Sequence, residues 1–155
     1  MRGVRMLAYE GSMMPIAFWV VAALIAQQPP SSSSGPALDF EFFKAQVQPI
    51  FLEKRPGYTR CVVCHTGSGP GVGFLQPLSQ SATSWNDEQS RRNFEAVSKL
   101  VTPGEPLKSR LLMHPLEPSA GGDEFHNGGR QFTSQNDPQF QTIAAWVRGK
   151  TASGR

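Results

Sequence analysis

Cysteine is nearly missing from this chain. Of 155 residues only Cys61 and Cys64 carry a thiol, three positions apart, so no disulfide framework can join distant parts and whatever the pair does is local. Charge is sparse too: 15 Lys and Arg stand against 12 Asp and Glu, net +3. That surplus is too small and too scattered for a nucleic-acid footprint, and no nucleic-acid partner is expected. Runs of alternating Val, Ile or Thr that announce strands are absent, as is any internal repeat. Neither a Ser-His-Asp set, a paired-carboxylate site nor a phosphate-cradling loop stands out, and the chain is not expected to be an enzyme. What it does have is 15 Gly, 13 Pro and 39% hydrophobic residues, the make-up of one small, loop-rich domain.

The first residues read as a leader. Arg2 and Arg5 precede an uncharged apolar stretch from Met13 to Ala26 (MMPIAFWVVAALIA), shorter than the ~20 residues of a bilayer-spanning helix and of the right length for a secretory h-region. The expectation is a signal peptide over 1–26, with Ala22, Ala23 and Ala26 offering cleavage sites. Leu24, three places before the bond after Ala26, keeps an uncleaved membrane anchor as the alternative. No cysteine follows, which excludes lipoprotein anchoring. A Pro/Ser linker (QQPPSSSSGP) is expected within 27–37, the folded domain over 38–150, and a disordered tail over 151–155. Export implies a periplasmic or secreted protein, associated with a membrane only if the leader stays.

Four helical segments are expected. Asp39 is the N-cap of the first, with Phe40, Phe43, Val47, Ile50 and Phe51 spaced along one face; Pro49 predicts a kink or restart there. The second starts at Asn86 with Gln89 as capping box, presents Phe94, Val97, Leu100 and Val101, and ends at Pro103-Gly104. A short turn follows around Leu111, Leu112 and Met113, stopped by Pro115, and residues 117–129 read as a Gly-rich loop. The last helix has Asp137 as N-cap, Pro138 at its first position, Phe140, Ile143, Ala144 and Val147 as a buried stripe with Trp146 beside it, and Gly149 past its end. The fold class is all-α: about four short helices and long loops. Such an inventory has little core of its own, and something else should fill its middle.

Cys61-Val62-Val63-Cys64-His65 supplies it. Two thiols on one turn can each add across one vinyl group of a haem, sulfur to one carbon and its proton to the other, and the histidine that follows is placed to bind the iron. A buried macrocycle then contributes the missing apolar area. Competing readings are weaker. A thioredoxin-like pair needs a βαβ frame that is not here; adjacent Cys64 and His65 rarely both reach one tetrahedral zinc; and a disulfide across two residues is strained and stabilises little.

The chain resembles more than this pentapeptide. Phe43 and Val47-Gln48-Pro49-Ile50-Phe51 lead into the motif. Val101-Thr102-Pro103-Gly104-Glu105-Pro106, Ser109 and Leu111-Leu112, then His126-Asn127-Gly128-Gly129 and Phe140 to Trp146, follow it. In that order they are similar to monohaem cytochrome c domains of the planctomycete type, over about 39–149. The resemblance implies a cytochrome c-like fold around one covalently bound haem (heme c) with its iron, electron transfer with redox partner proteins, and cofactor-binding residues Cys61, Cys64, His65 and His126. Where many small cytochromes c offer a methionine before proline, this chain has Met113-His114-Pro115, so the sixth iron ligand is open. His65 and His126 are the expected metal ligands, Met113 and His114 the alternatives. Arg60, Arg130 and Trp85 are candidate partners for the haem carboxylates. A haem enzyme or gas sensor with a displaceable sixth ligand is the alternative function.

Overall fold

The computed structural model describes residues 35–67 and 73–154. The leader expected over 1–26, most of the linker and the middle of the Gly-rich run after His65 lie outside the described residues. The chain divides after Ser31, and the described residues belong to the second unit. Among them no helix is long and apolar enough to cross a membrane.

Helix α1 changes winding along its length. It opens as an α turn over Phe40–Phe42, widens to a π stretch over Phe43–Val47 and tightens to a 3-10 turn over Gln48–Leu52. Asp39 caps it by accepting from the Phe42 amide at 2.6 Å. Pro49 stands at the start of the 3-10 turn, where a missing N–H leaves no bond unmade; this is the expected restart. The changed pitch turns Phe43, Val47, Gln48 and Phe51 all inward.

Helix α2 is the motif itself, Cys61–His65. Helix α3, Asp87–Ser98, begins with the expected capping box between Asn86 and Gln89. It ends earlier than expected, because Lys99 to Val101 turn through 3-10-like bonds onto Ala96, Val97 and Ser98 before Pro103 is reached. Its buried face is partly polar. Gln48 Nε2 donates to Ser90 Oγ at 2.9 Å, Asn93 Nδ2 to Gln48 Oε1 at 3.3 Å, and the Gln76 amide to Asn93 Oδ1 at 2.6 Å. Each buried polar group in this ladder is thereby paired, as burial demands, and the loop from Phe74 to Trp85 is moored to α1 and α3.

Helix α4 spans Arg110–Met113 and α5 spans Pro138–Val147. Asp137 caps α5, accepting from Gln139 and Phe140 amides at 2.9 and 3.3 Å. Trp146 is not beside the buried stripe but in the centre of the core, fully buried, since α5 is covered on two sides. Its ring packs on Phe43 and Phe94 at 5.2 and 6.0 Å, and its Nε1 donates to Asp39 O at 2.9 Å. Between α4 and α5 the loop is closed at its base by a parallel bridge between Leu116 and Phe132. Among the described residues there is no strand beyond that bridge, and the fold is all-α with long loops.

Both ends of the domain differ from expectation. Pro36, assigned to the linker, packs against Gly104 and Gly149. Residues 151–154, expected as a disordered tail, form a turn in which Gly154 N–H donates to Thr151 O and Ala152 N–H reaches Asp39 Oδ1 at 3.4 Å.

Candidate functional site: a cavity between the motif helix and a histidine loop

In α2, positions three and four apart share a face, so Cys61, Cys64 and His65 point the same way, and all three line one cavity of about 710 Å³. Val62 points back into the core, and Thr66 Oγ1 closes the helix end on Val62 O at 2.9 Å. Behind the histidine, the Leu75 amide donates to His65 O at 2.8 Å and the Phe74 ring lies 4.3 Å from the imidazole, 33° from parallel. The ladder under α3 thus fixes the loop that backs His65.

Both thiols are free. Burial pushes Cys61 up to about 11, against the helix amide bond and the Arg55 charge that pull it down. It is a neutral thiol at physiological pH and a poor target for oxidation, since the thiolate is the reactive form.

The loop between α4 and α5 brings the other two histidines to the same cavity. His126 Nδ1 bonds Gly129 O. A carbonyl only accepts, so Nδ1 carries the proton and the neutral ring keeps its lone pair on Nε2, the arrangement of a histidine prepared to ligate a metal. Burial lowers its pKa, helped by the His114 and Arg130 charges and opposed by the Gly129 carbonyl, which favours the neutral form. His114 Nδ1 lies 3.1 Å from Asp123 Oδ2. The His65 and His126 rings are 6.2 Å apart with planes 19° from parallel, while His114 meets His126 edge-on at 5.0 Å.

Geometry requires a glycine at position 129 of this loop. Gly129 has φ +88°, and a Cβ there would stand 2.6 Å from Tyr58 Cδ1. The loop therefore lies directly on the segment that leads into Cys61.

Ile50, Phe51, Leu100, Leu111, Phe132 and Ile143 give the cavity apolar walls, and Arg60, Lys99 and Arg110 are its cations, with no carboxylate among the lining residues described. Its size is that of a cofactor site. Cys61, Cys64, His65, His114 and His126 are thus brought together, whereas Met113 packs against the core and does not line the cavity. Of the other residues singled out, Arg60 lines it. Arg130 instead holds the loop, donating to His114 O and Glu124 O. Trp85 is buried with its Nε1 donating to Gln76 O at 2.7 Å, so it is not available to a carboxylate in the cavity. Lys99, Arg110 and Gln131 were not foreseen; no pattern around them marks them in the sequence.

Among the described residues no group of three or more His, Cys, Asp or Glu is placed to hold a metal ion alone. An ion held here needs further donors, supplied by a ligand. Comparison with family models, with curated proteins and with solved structures returns no match.

Proposed function

We propose that this chain is an exported monohaem c-type cytochrome, a one-electron carrier between larger redox proteins. The observation that carries the reading is the facing of Cys61, Cys64 and His65 across one apolar cavity from His126, whose lone pair its own loop leaves on Nε2. The His65 and His126 rings both line this cavity, with 6.2 Å between their centres. The porphyrin would bring the donors that the side chains lack.

In this reading Cys61 and Cys64 would attach the haem covalently and His65 and His126 would ligate its iron, within a cytochrome c-like fold. When bound, the haem supplies the one-electron couple, and the chain fixes ligands and polarity around it. Phe51, Leu111, Phe132 and Ile143, as apolar walls of the cavity, would keep water from it. Arg60, Lys99 and Arg110, the cations lining the cavity, would meet its carboxylates, which need cationic partners where water is scarce. The leader delivers the chain to the periplasm or beyond, where such attachment takes place. Spectra of purified exported protein test the function: a low-spin haem reduced and reoxidised reversibly by a mediator supports it, and a five-coordinate haem that turns over a substrate or binds gas directly favours the enzyme or sensor instead.

A further inference from the structure

We infer that Gln131 is a positioning residue that clamps the two histidine walls of the cavity together and so keeps His126 in place opposite His65. The inference rests on the haem reading above and concerns how firmly that site holds its far-side ligand.

Gln131 is buried, and its single side-chain nitrogen faces two carbonyls at once: Thr59 O at 2.9 Å and Gly128 O at 3.3 Å. Thr59 lies two residues before Cys61; Gly128 lies two residues after His126. An amide Nε2 has two N–H donors, one for each wall. The residue itself is held from behind, because Arg55 donates to its main-chain carbonyl while also gripping Asp137 at the start of α5. Tyr58 against Gly129 is a second contact between the same two walls. Without the amide, Thr59 O and Gly128 O lose the donor they share, and the glycine-rich loop carrying His126 is released from the segment carrying Cys61.

Carbon monoxide reports this directly, since it must displace the far-side histidine to bind reduced haem. Gln131→Leu keeps roughly the volume and removes both donors; Gln131→Met does the same with a longer, more adaptable chain should the leucine variant not fold. Either is expected to speed carbon monoxide uptake by the reduced holoprotein up to about tenfold, the equilibrium factor of one hydrogen bond. Trp146→Phe is the control: it breaks the Trp146–Asp39 bond away from the cavity and should lower the melting temperature without changing uptake. Uptake within twofold of wild type in the Gln131 variants, or an equal rise in Trp146→Phe, overturns the inference while leaving the cytochrome reading intact. A wild-type protein without haem, or with a five-coordinate haem that takes up carbon monoxide at once, overturns both, and this is seen before any variant is made.

Discussion

Arg55 and Asp137, 82 residues apart in sequence, meet through two hydrogen bonds of 2.9 and 2.8 Å, one from each terminal nitrogen of the guanidinium to each carboxylate oxygen. Arg55 also reaches Gln139 Oε1 at 2.9 Å and lies over the Phe132 ring. The pair is mostly shielded, with 21% and 16% of the side chains exposed, and Asp137 is at the same time the cap of α5. It ties the segment entering the motif helix to the helix that carries Trp146.

Asp137→Ala removes a cap and strands the guanidinium, and should cost about 2–4 kcal/mol in urea unfolding. Burial raises the Asp137 pKa, but the Arg55 bonds and the Phe140 and Gln139 amides outweigh it and hold the carboxyl below its usual range. A depressed folded pKa gives stability that is complete above the unfolded value of about 3.9 and is lost as pH falls through the folded one. Wild type should therefore keep its stability from neutral pH to about 5 and lose it below about 4, and Asp137→Asn should flatten that acid limb. An unchanged limb in Asp137→Asn would assign acid loss to other carboxylates.

Gly129→Ala forces a side chain onto Tyr58 at a positive φ and should cost about 1–3 kcal/mol. At Gly128 the nearest atom to an added Cβ is His126 Cε1 at 3.3 Å, so Gly128→Ala should be milder. Denaturant midpoints of the two variants check the order, and the reverse order would contradict the packing of this loop.

Trp146→Ala should cost about 3–5 kcal/mol by opening a cavity beside Phe43 and Phe94. Trp146→Phe should cost less, about 1–3 kcal/mol, largely from leaving Asp39 O without its donor. Thermal unfolding of the two separates the contributions of ring volume and hydrogen bond.

Ligand variants decide which residue faces His65. His126→Ala should leave a high-spin haem, while Met113→Leu and His114→Ala should keep the low-spin spectrum, since Met113 does not line the cavity and His114 is engaged with Asp123. Two imidazoles also favour the oxidised iron more than an imidazole and a thioether do, so the potential should be lower than with a methionine ligand. If Met113→Leu is the variant that turns high-spin, the ligand is Met113 and the loop must rearrange around the cofactor.

Most elements were legible because their signals are local. Asn86 with Gln89, Asp137 with Pro138, and the spacing of Cys61, Cys64 and His65 each report a cap or a shared helical face within a few residues. The end of α3 is not legible, because Leu100 and Val101 continue its apolar spacing although the backbone has already turned. Periodicity puts Trp146 beside the stripe, because it shows one buried face and not that a second element covers the next. Gln131, Lys99 and Arg110 were illegible for the same reason: their roles exist only once residues far apart in the chain meet at the cavity, and neither a lone glutamine nor a lone cation carries such a signal. Trp85 and Arg130 show the converse, side chains of suitable chemistry already engaged by nearby carbonyls.

Covalent attachment decides the whole reading. The full-length chain, exported from a host with a c-type haem maturation system, is denatured and examined by intact mass and by in-gel haem peroxidase staining. The expected result is a mature chain carrying one haem through both thiols, with attachment abolished in the double variant Cys61→Ala, Cys64→Ala and cooperative unfolding lost with it, because the cofactor would fill the cavity between α2 and the histidine loop. An exported wild-type chain whose mass is that of the polypeptide alone, folded and unstained, would contradict it.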